Sequence, residues 1–189
     1  MNHVLVGVVA GSLVAGVGQA ALAQSSLPLE LTGAPPRPAP TCVAPEYRQF
    51  DFFAGDWDTY DVGEPTRIVA RNRVTAMLGG CAVREVYRQT DGLAGESFST
   101  YDAPHGTWHQ SWVTNRGTLL LLTGRLEGDR MVLTGTETAA DGASSLLRAT
   151  WFPVPNAVRE TAERSTDGGK SWKPVFDIVF RPHDQKKGP

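Results

Sequence analysis

The sequence predicts an all-β protein: an antiparallel up-and-down barrel of about ten strands, preceded by a short helical turn. Three observations carry this. From Asp56 onward, apolar and polar residues alternate with a period of two, the repeat of a strand with one buried face. Turn residues recur at short, even intervals: Gly79-Gly80, Asp91-Gly92, Pro104-His105-Gly106, Asn115-Arg116-Gly117, Glu127-Gly128-Asp129, Asp141-Gly142, Pro155-Asn156 and Asp167-Gly168-Gly169. Such residues tolerate the positive φ of hairpin turns. No helix-length apolar repeat interrupts the series. The result is a continuous meander, which removes its free edges by closing on itself. A β-sandwich is the alternative, but it would need long crossover connections, and none is visible.

The elements before the barrel follow in order. Residues 1–23 read as a secretory signal peptide. Residues 4–17 are apolar, and Ala21-Leu22-Ala23 supplies the small-x-small cleavage pattern before Gln24. Only His3 stands where a basic residue is usual. A membrane anchor is the other reading, but the run is shorter than the roughly 20 apolar residues of a span, and Gln19 interrupts it. No stable membrane span after cleavage and no lipid anchor are expected, and the location is periplasmic or secreted. Residues 24–41 form a linker with Pro28, Pro35, Pro36, Pro38 and Pro40, a composition that favours extended chain over a core. Residues 44–54 are the short helical turn. Pro45 suits its start, and Tyr47, Phe50 and Phe53 share one face. The barrel domain spans residues 42–182, and residues 183–189 read as a flexible tail.

Cys42 and Cys81 are the two cysteines. An even number in an oxidising compartment suggests one disulfide; two buried thiols are the alternative. A chain of 189 residues with 41% hydrophobic side chains supplies one domain with a core. A net charge of -2 and only short basic clusters, such as Lys186-Lys187, give no basic patch for phosphate. Nucleic acid is therefore not an expected partner.

Arginines sort the strand faces, because neighbours along a strand point to opposite sides. Arg67, Arg71 and Arg73 mark the outside of one strand and leave Ile68, Ala70, Asn72, Val74 and Ala76 inside. Arg84 and Arg88 leave Cys81, Val83, Glu85 and Tyr87 inside. Arg125 leaves Leu120, Leu122 and Gly124 inside. Trp108, Gln110 and Trp112 share a face, and Phe176, Ile178 and Phe180 form the apolar set of the last strand. An aromatic wall with a few polar groups converging on it is the chemistry of a small-molecule pocket. The candidate binding residues are Asn72, Glu85, Tyr87, Tyr101, Trp108, Gln110 and Trp112. The alternative is a hydrogen-bonded network that only fixes the core.

Phe50-Asp51-Phe52-Phe53-Ala54-Gly55-Asp56-Trp57-Asp58 places Gly-x-Trp at the start of the first strand. It resembles the signature of lipocalins and fatty-acid-binding proteins, which implies that Trp57 plugs the closed end of the barrel. Four further segments occur in order: Gly80-Cys81-Ala82-Val83-Arg84-Glu85, residues 95–102 ending in Tyr101-Asp102, Trp108-His109-Gln110-Ser111-Trp112-Val113, and residues 165–172. Together they resemble a large family of exported bacterial proteins known only as a domain of unknown function. That resemblance implies a lipocalin-like (calycin) barrel over residues 42–182 and says nothing about activity. Residues 165–172 also resemble the Asp-box of sialidases, S-x-D-x-G-x-x-W. With one copy, the implication is a rigid hairpin held by Asp167 and Trp172.

Sequence signatures of catalysis are mostly missing: there is no Gly-x-Ser-x-Gly elbow, no His-Glu-x-x-His and no phosphate loop. His3, His105, His109 and His183 are not at metal-ligand spacing, so no metal and no cofactor are expected. Glu85 and Glu160 offer a pair of carboxyls for acid–base work, but the facing of Glu160 is open, and a salt bridge with Arg148 or Arg159 is the plainer reading. Three functions stay open. The first is a binding barrel for a small apolar or aromatic ligand. The second is an isomerase, lyase or hydratase using Glu85 as acid or base. The third is a structural or interaction module with a filled barrel. Oligomeric state is open.

Overall fold

The computed structural model describes residues 42–139 and 141–184; the expected signal peptide, the linker and the tail beyond residue 184 lie outside them. Two 3₁₀ turns, Pro45–Arg48 and Asp51–Phe53, precede ten strands. These are β1 (Gly55–Asp61), β2 (Ile68–Met77), β3 (Ala82–Gln89), β4 (Ala94–Asp102), β5 (Thr107–Thr114), β6 (Leu119–Glu127), β7 (Arg130–Thr138), β8 (Ser144–Val154), β9 (Ala157–Ser165) and β10 (Lys173–Pro182). Each strand pairs antiparallel with its sequence neighbour, and β1 pairs with β10 to close the barrel. The turns fall where Gly92, Gly106, Gly117, Gly128, Gly142 and Gly168 take positive φ.

One end is sealed by the N-terminal turns. Phe50 and Phe53 are almost fully buried. Phe50 meets Trp108 and Trp151 edge-on at 5.7 and 5.5 Å, and Phe53 packs on Phe180 at 5.1 Å. The Trp57 indole N–H donates to the Phe53 carbonyl at 3.0 Å. Its ring lies over Gly55, where any Cβ would come within 2.3 Å of it, so the first position of Gly-x-Trp accepts only glycine. The Cys42–Cys81 disulfide, with Cα atoms 5.0 Å apart, ties the start of the domain to the turn before β3. Arg48 reinforces it by donating to the Gly80 carbonyl.

Three expectations need correction here. His183 does not belong to a tail. Its backbone N–H donates to the Asp56 carbonyl at 2.9 Å, and its ring sits between the Asp58 carboxylate at 3.1 Å and the Arg71 guanidinium. Ile68 is 42% exposed instead of interior, and Val69 faces the lumen. The cause is a bulge in β2, where Val69 is the extra residue between the Thr59–Ala70 and Tyr60–Ile68 pairings, since one extra residue inverts every face beyond it. Ala76, also expected inside, is exposed near the closed end. Deeper in the barrel the alternation holds: Ala70, Asn72, Val74, Val83, Glu85, Leu120, Leu122 and Phe180 are buried.

A carboxylate-lined cavity at the open end

The turns after β1, β3, β5, β7 and β9 surround the other end of the barrel, which no described residue plugs. A cavity of about 540 Å³ opens there, within the usual range for small-molecule sites. Its apolar wall comes from inward positions of six strands, among them Trp112, Leu120, Leu122, Leu147, Trp151 and Ile178. Trp112 is held in place. Its ring covers Gly95, where a Cβ would come within 2.3 Å of it, and meets Tyr87 edge-on at 6.0 Å.

A polar layer separates this cavity from the aromatic plug. Asn72 donates from Nδ2 to Glu85 Oε1 at 2.8 Å, and Ser97 donates from Oγ to Glu85 Oε2 at 2.9 Å. Gln110 donates from Nε2 to Ser99 Oγ at 3.1 Å and reaches Ser97 Oγ at 3.4 Å. Strands β2 to β5 thus each contribute to one chain of hydrogen bonds around a buried carboxyl. Burial pushes the Glu85 carboxyl above the usual range, and the bonds from Ser97 and Asn72 oppose that rise.

Glu160 faces the same space from β9, four strands away from β3 around the ten-stranded ring. Burial, and then repulsion from Glu85, push its carboxyl well above the usual range. Trp151, its cross-strand partner, turns its indole N–H toward the carboxyl without reaching hydrogen-bond geometry. The expected ion pairs of Glu160 do not form. Arg148 is bonded to Glu163 at 2.7 Å, and Arg159 is bonded to Asp177. The facing of Glu160 was open in the sequence because charges fall on both faces of β9; the apolar Val158 and Ala162 on either side of it were the available signal. Nearer the mouth, Arg164 donates to Glu137 at 2.8 and 2.9 Å inside the barrel.

Of the candidate binding residues, Glu85, Tyr87, Gln110 and Trp112 line one cavity. Asn72 stands behind Glu85. Tyr101 and Trp108 do not reach the cavity. They pack on each other at 5.9 Å at the sealed end, where Tyr101 meets Tyr47 and Trp108 donates to Gln49. The β4–β5 turn lies at that end, so these positions share the inner face with Trp112 but not its depth. Trp57 also belongs to the sealed end.

The hairpin between β9 and β10 rims the mouth. Asp167 accepts from the Lys170 and Ser171 backbone at 3.0 and 2.9 Å and from both Ser165 and Ser171 hydroxyls. These donors hold its carboxyl far below the usual range. Trp172 donates to the Gly169 carbonyl and lies under Arg148. His105 and His109 sit outside the barrel beside Asp102. Among the described residues, no three His, Cys, Asp or Glu side chains form a group that could hold a metal.

The two raised carboxyls link stability to pH. A folded-state pKa above the unfolded value near 4.5 means that the folded protein binds more protons in that window. Stability is then full below the unfolded value and falls as pH rises through the folded one. Glu160→Gln removes the proton requirement and should raise stability at pH 8 by about 1–3 kcal/mol, with little change at pH 4. Thermal melts of both proteins from pH 4 to 9 measure this, and parallel profiles would contradict it.

Compared with protein-family models and with curated proteins, the chain matches none.

Proposed function

We propose that the protein is an exported binding barrel that holds a small, partly apolar molecule in the open-end cavity. The observation that carries this is the lumen itself. A space of about 540 Å³, walled by aromatic and aliphatic side chains and floored by polar ones, does not fit a barrel filled for structure alone. The Cys42–Cys81 disulfide supports an oxidising location, periplasmic or secreted. Among the described residues no helix is long and apolar enough to cross a membrane. The motif resemblance to exported bacterial barrels is part of the same reading.

The test uses N-phenyl-1-naphthylamine, an uncharged probe that fluoresces in apolar surroundings. Saturable binding is expected. Trp112→Ala should weaken it about tenfold or more, the loss of one large apolar contact, while far-UV circular dichroism stays unchanged. No enhancement with the wild-type protein would refute the cavity as a binding site.

One observation favours a second reading, an acid–base enzyme of the isomerase, lyase or hydratase class. A carboxyl raised by burial in a cleft, as Glu85 is, suits proton transfer near neutral pH. Mass spectrometry of the molecule that co-purifies separates the two. A single compound recovered unchanged supports binding, and a substrate–product pair supports catalysis.

A further inference from the structure

We propose that the cavity selects an organic cation, an amine with a ring-bearing apolar body, whose ammonium group is clamped between Glu85 and Glu160. This rests on the binding reading above and names the chemistry of the ligand.

Charge accounting inside the lumen comes first. Five acidic side chains line it, Asp61, Glu85, Asp91, Glu137 and Glu160, against two guanidinium groups, Arg67 and Arg164. Neither arginine is available to the deep acids. Arg164 is bonded to Glu137, and Arg67 is bonded to Glu64 at 2.6 Å. Asp91 has its own partner outside, Arg116 at 3.0 Å. Among the described residues, no Lys, Arg or His pairs with Glu85 or Glu160. Their neighbours are neutral: Asn72 on β2, Ser97 on β4, Gln110 on β5 and Trp151 on β8. Glu85 is buried and Glu160 half-buried, and two acids facing one space are costly as carboxylates without a counter-charge. A bound cation supplies it.

The unpartnered Trp151 N–H is the second, independent observation. Its side chain is about 98% buried, and its nitrogen has no full hydrogen bond. It points toward Glu160, whose carboxyl is pushed well above the usual range by burial and by Glu85. A cation beside Glu160 favours its carboxylate form, the stronger acceptor for that donor. The rings complete the fit. Tyr87 and Trp112, edge-on to each other beside Glu85, offer the faces on which an ammonium group or its ring-bearing body rests.

The experiment is calorimetric titration at pH 7 with three probes of one shape: tryptamine (cation), tryptophol (neutral) and indole-3-propionate (anion). Tryptamine should bind at least tenfold more tightly than either of the others. Titrations in buffers of different ionisation enthalpy should show proton release with tryptamine and none with tryptophol, a readout on the wild-type protein that needs no variant. In Glu85→Gln/Glu160→Gln the preference for tryptamine over tryptophol should shrink to within threefold. If the naphthylamine probe binds and tryptamine shows no advantage, or no proton is released, the cation inference falls and the binding reading stands. If neither the naphthylamine nor any indole probe binds, both fall.

Discussion

Phe50→Ala should cost about 3–5 kcal/mol of folding stability, the range for removing a fully buried aromatic ring. Phe50 has no exposed surface. It contacts Phe52, Phe53, Trp108 and Trp151 at centroid distances of 5.5–5.7 Å. Those partners come from the second 3₁₀ turn, β5 and β8, so the ring joins the plug to two separate strands of the barrel wall. Truncation leaves a void that the strands cannot close without bending, because neighbouring rungs fix their spacing. Urea titration of wild type and variant gives the difference directly. A loss below about 1 kcal/mol would mean that the plug is loosely held, and it would then be no barrier to water at the sealed end.

The double substitution Cys42→Ser/Cys81→Ser should cost about 4 kcal/mol, from the entropy that a bridge across this loop removes from the unfolded chain. The sequence separation is 39, long enough for a large effect. The bridge acts on the same end of the molecule as Phe50, because it fixes the strand-free segment that carries the plug. The two effects should therefore be less than additive when combined, since groups sharing one element couple. Chemical denaturation with and without reductant measures the disulfide's share. An unchanged midpoint after reduction would show that the segment is held by packing and by Arg48 alone.

The architecture could be read from the chain because both of its signals are local. A turn needs particular residues at particular φ, and a half-buried strand needs alternation. Inward facing of Asn72, Glu85 and Gln110 followed from arginines and aromatics beside them. Depth along the barrel was not legible in this way. Trp108 and Trp112 share a face, yet only Trp112 reaches the cavity, because alternation fixes a side and not a height. Bulges were equally hidden. Val175 and Phe176 both line the mouth because the β10–β9 register shifts between Pro174 and Phe176. In β9, charges fall on both faces, with Arg159 and Glu163 outside and Glu160 and Arg164 inside. Polarity contrast, the usual guide, was absent there.

The seam between β1 and β10 has a kinetic consequence. It brings Trp57 opposite Pro182, so the contacts that complete the barrel join the two ends of the domain. Pairings this distant in sequence form late, and folds that depend on them are slow. Until β10 is present, β1 and β9 each offer an unsatisfied edge to any strand nearby, including one from another copy. During synthesis the last ten residues of the sheet, Lys173–Pro182, therefore decide when the chain stops being prone to aggregate. A nascent chain that lacks them has every hairpin but the last and no barrel.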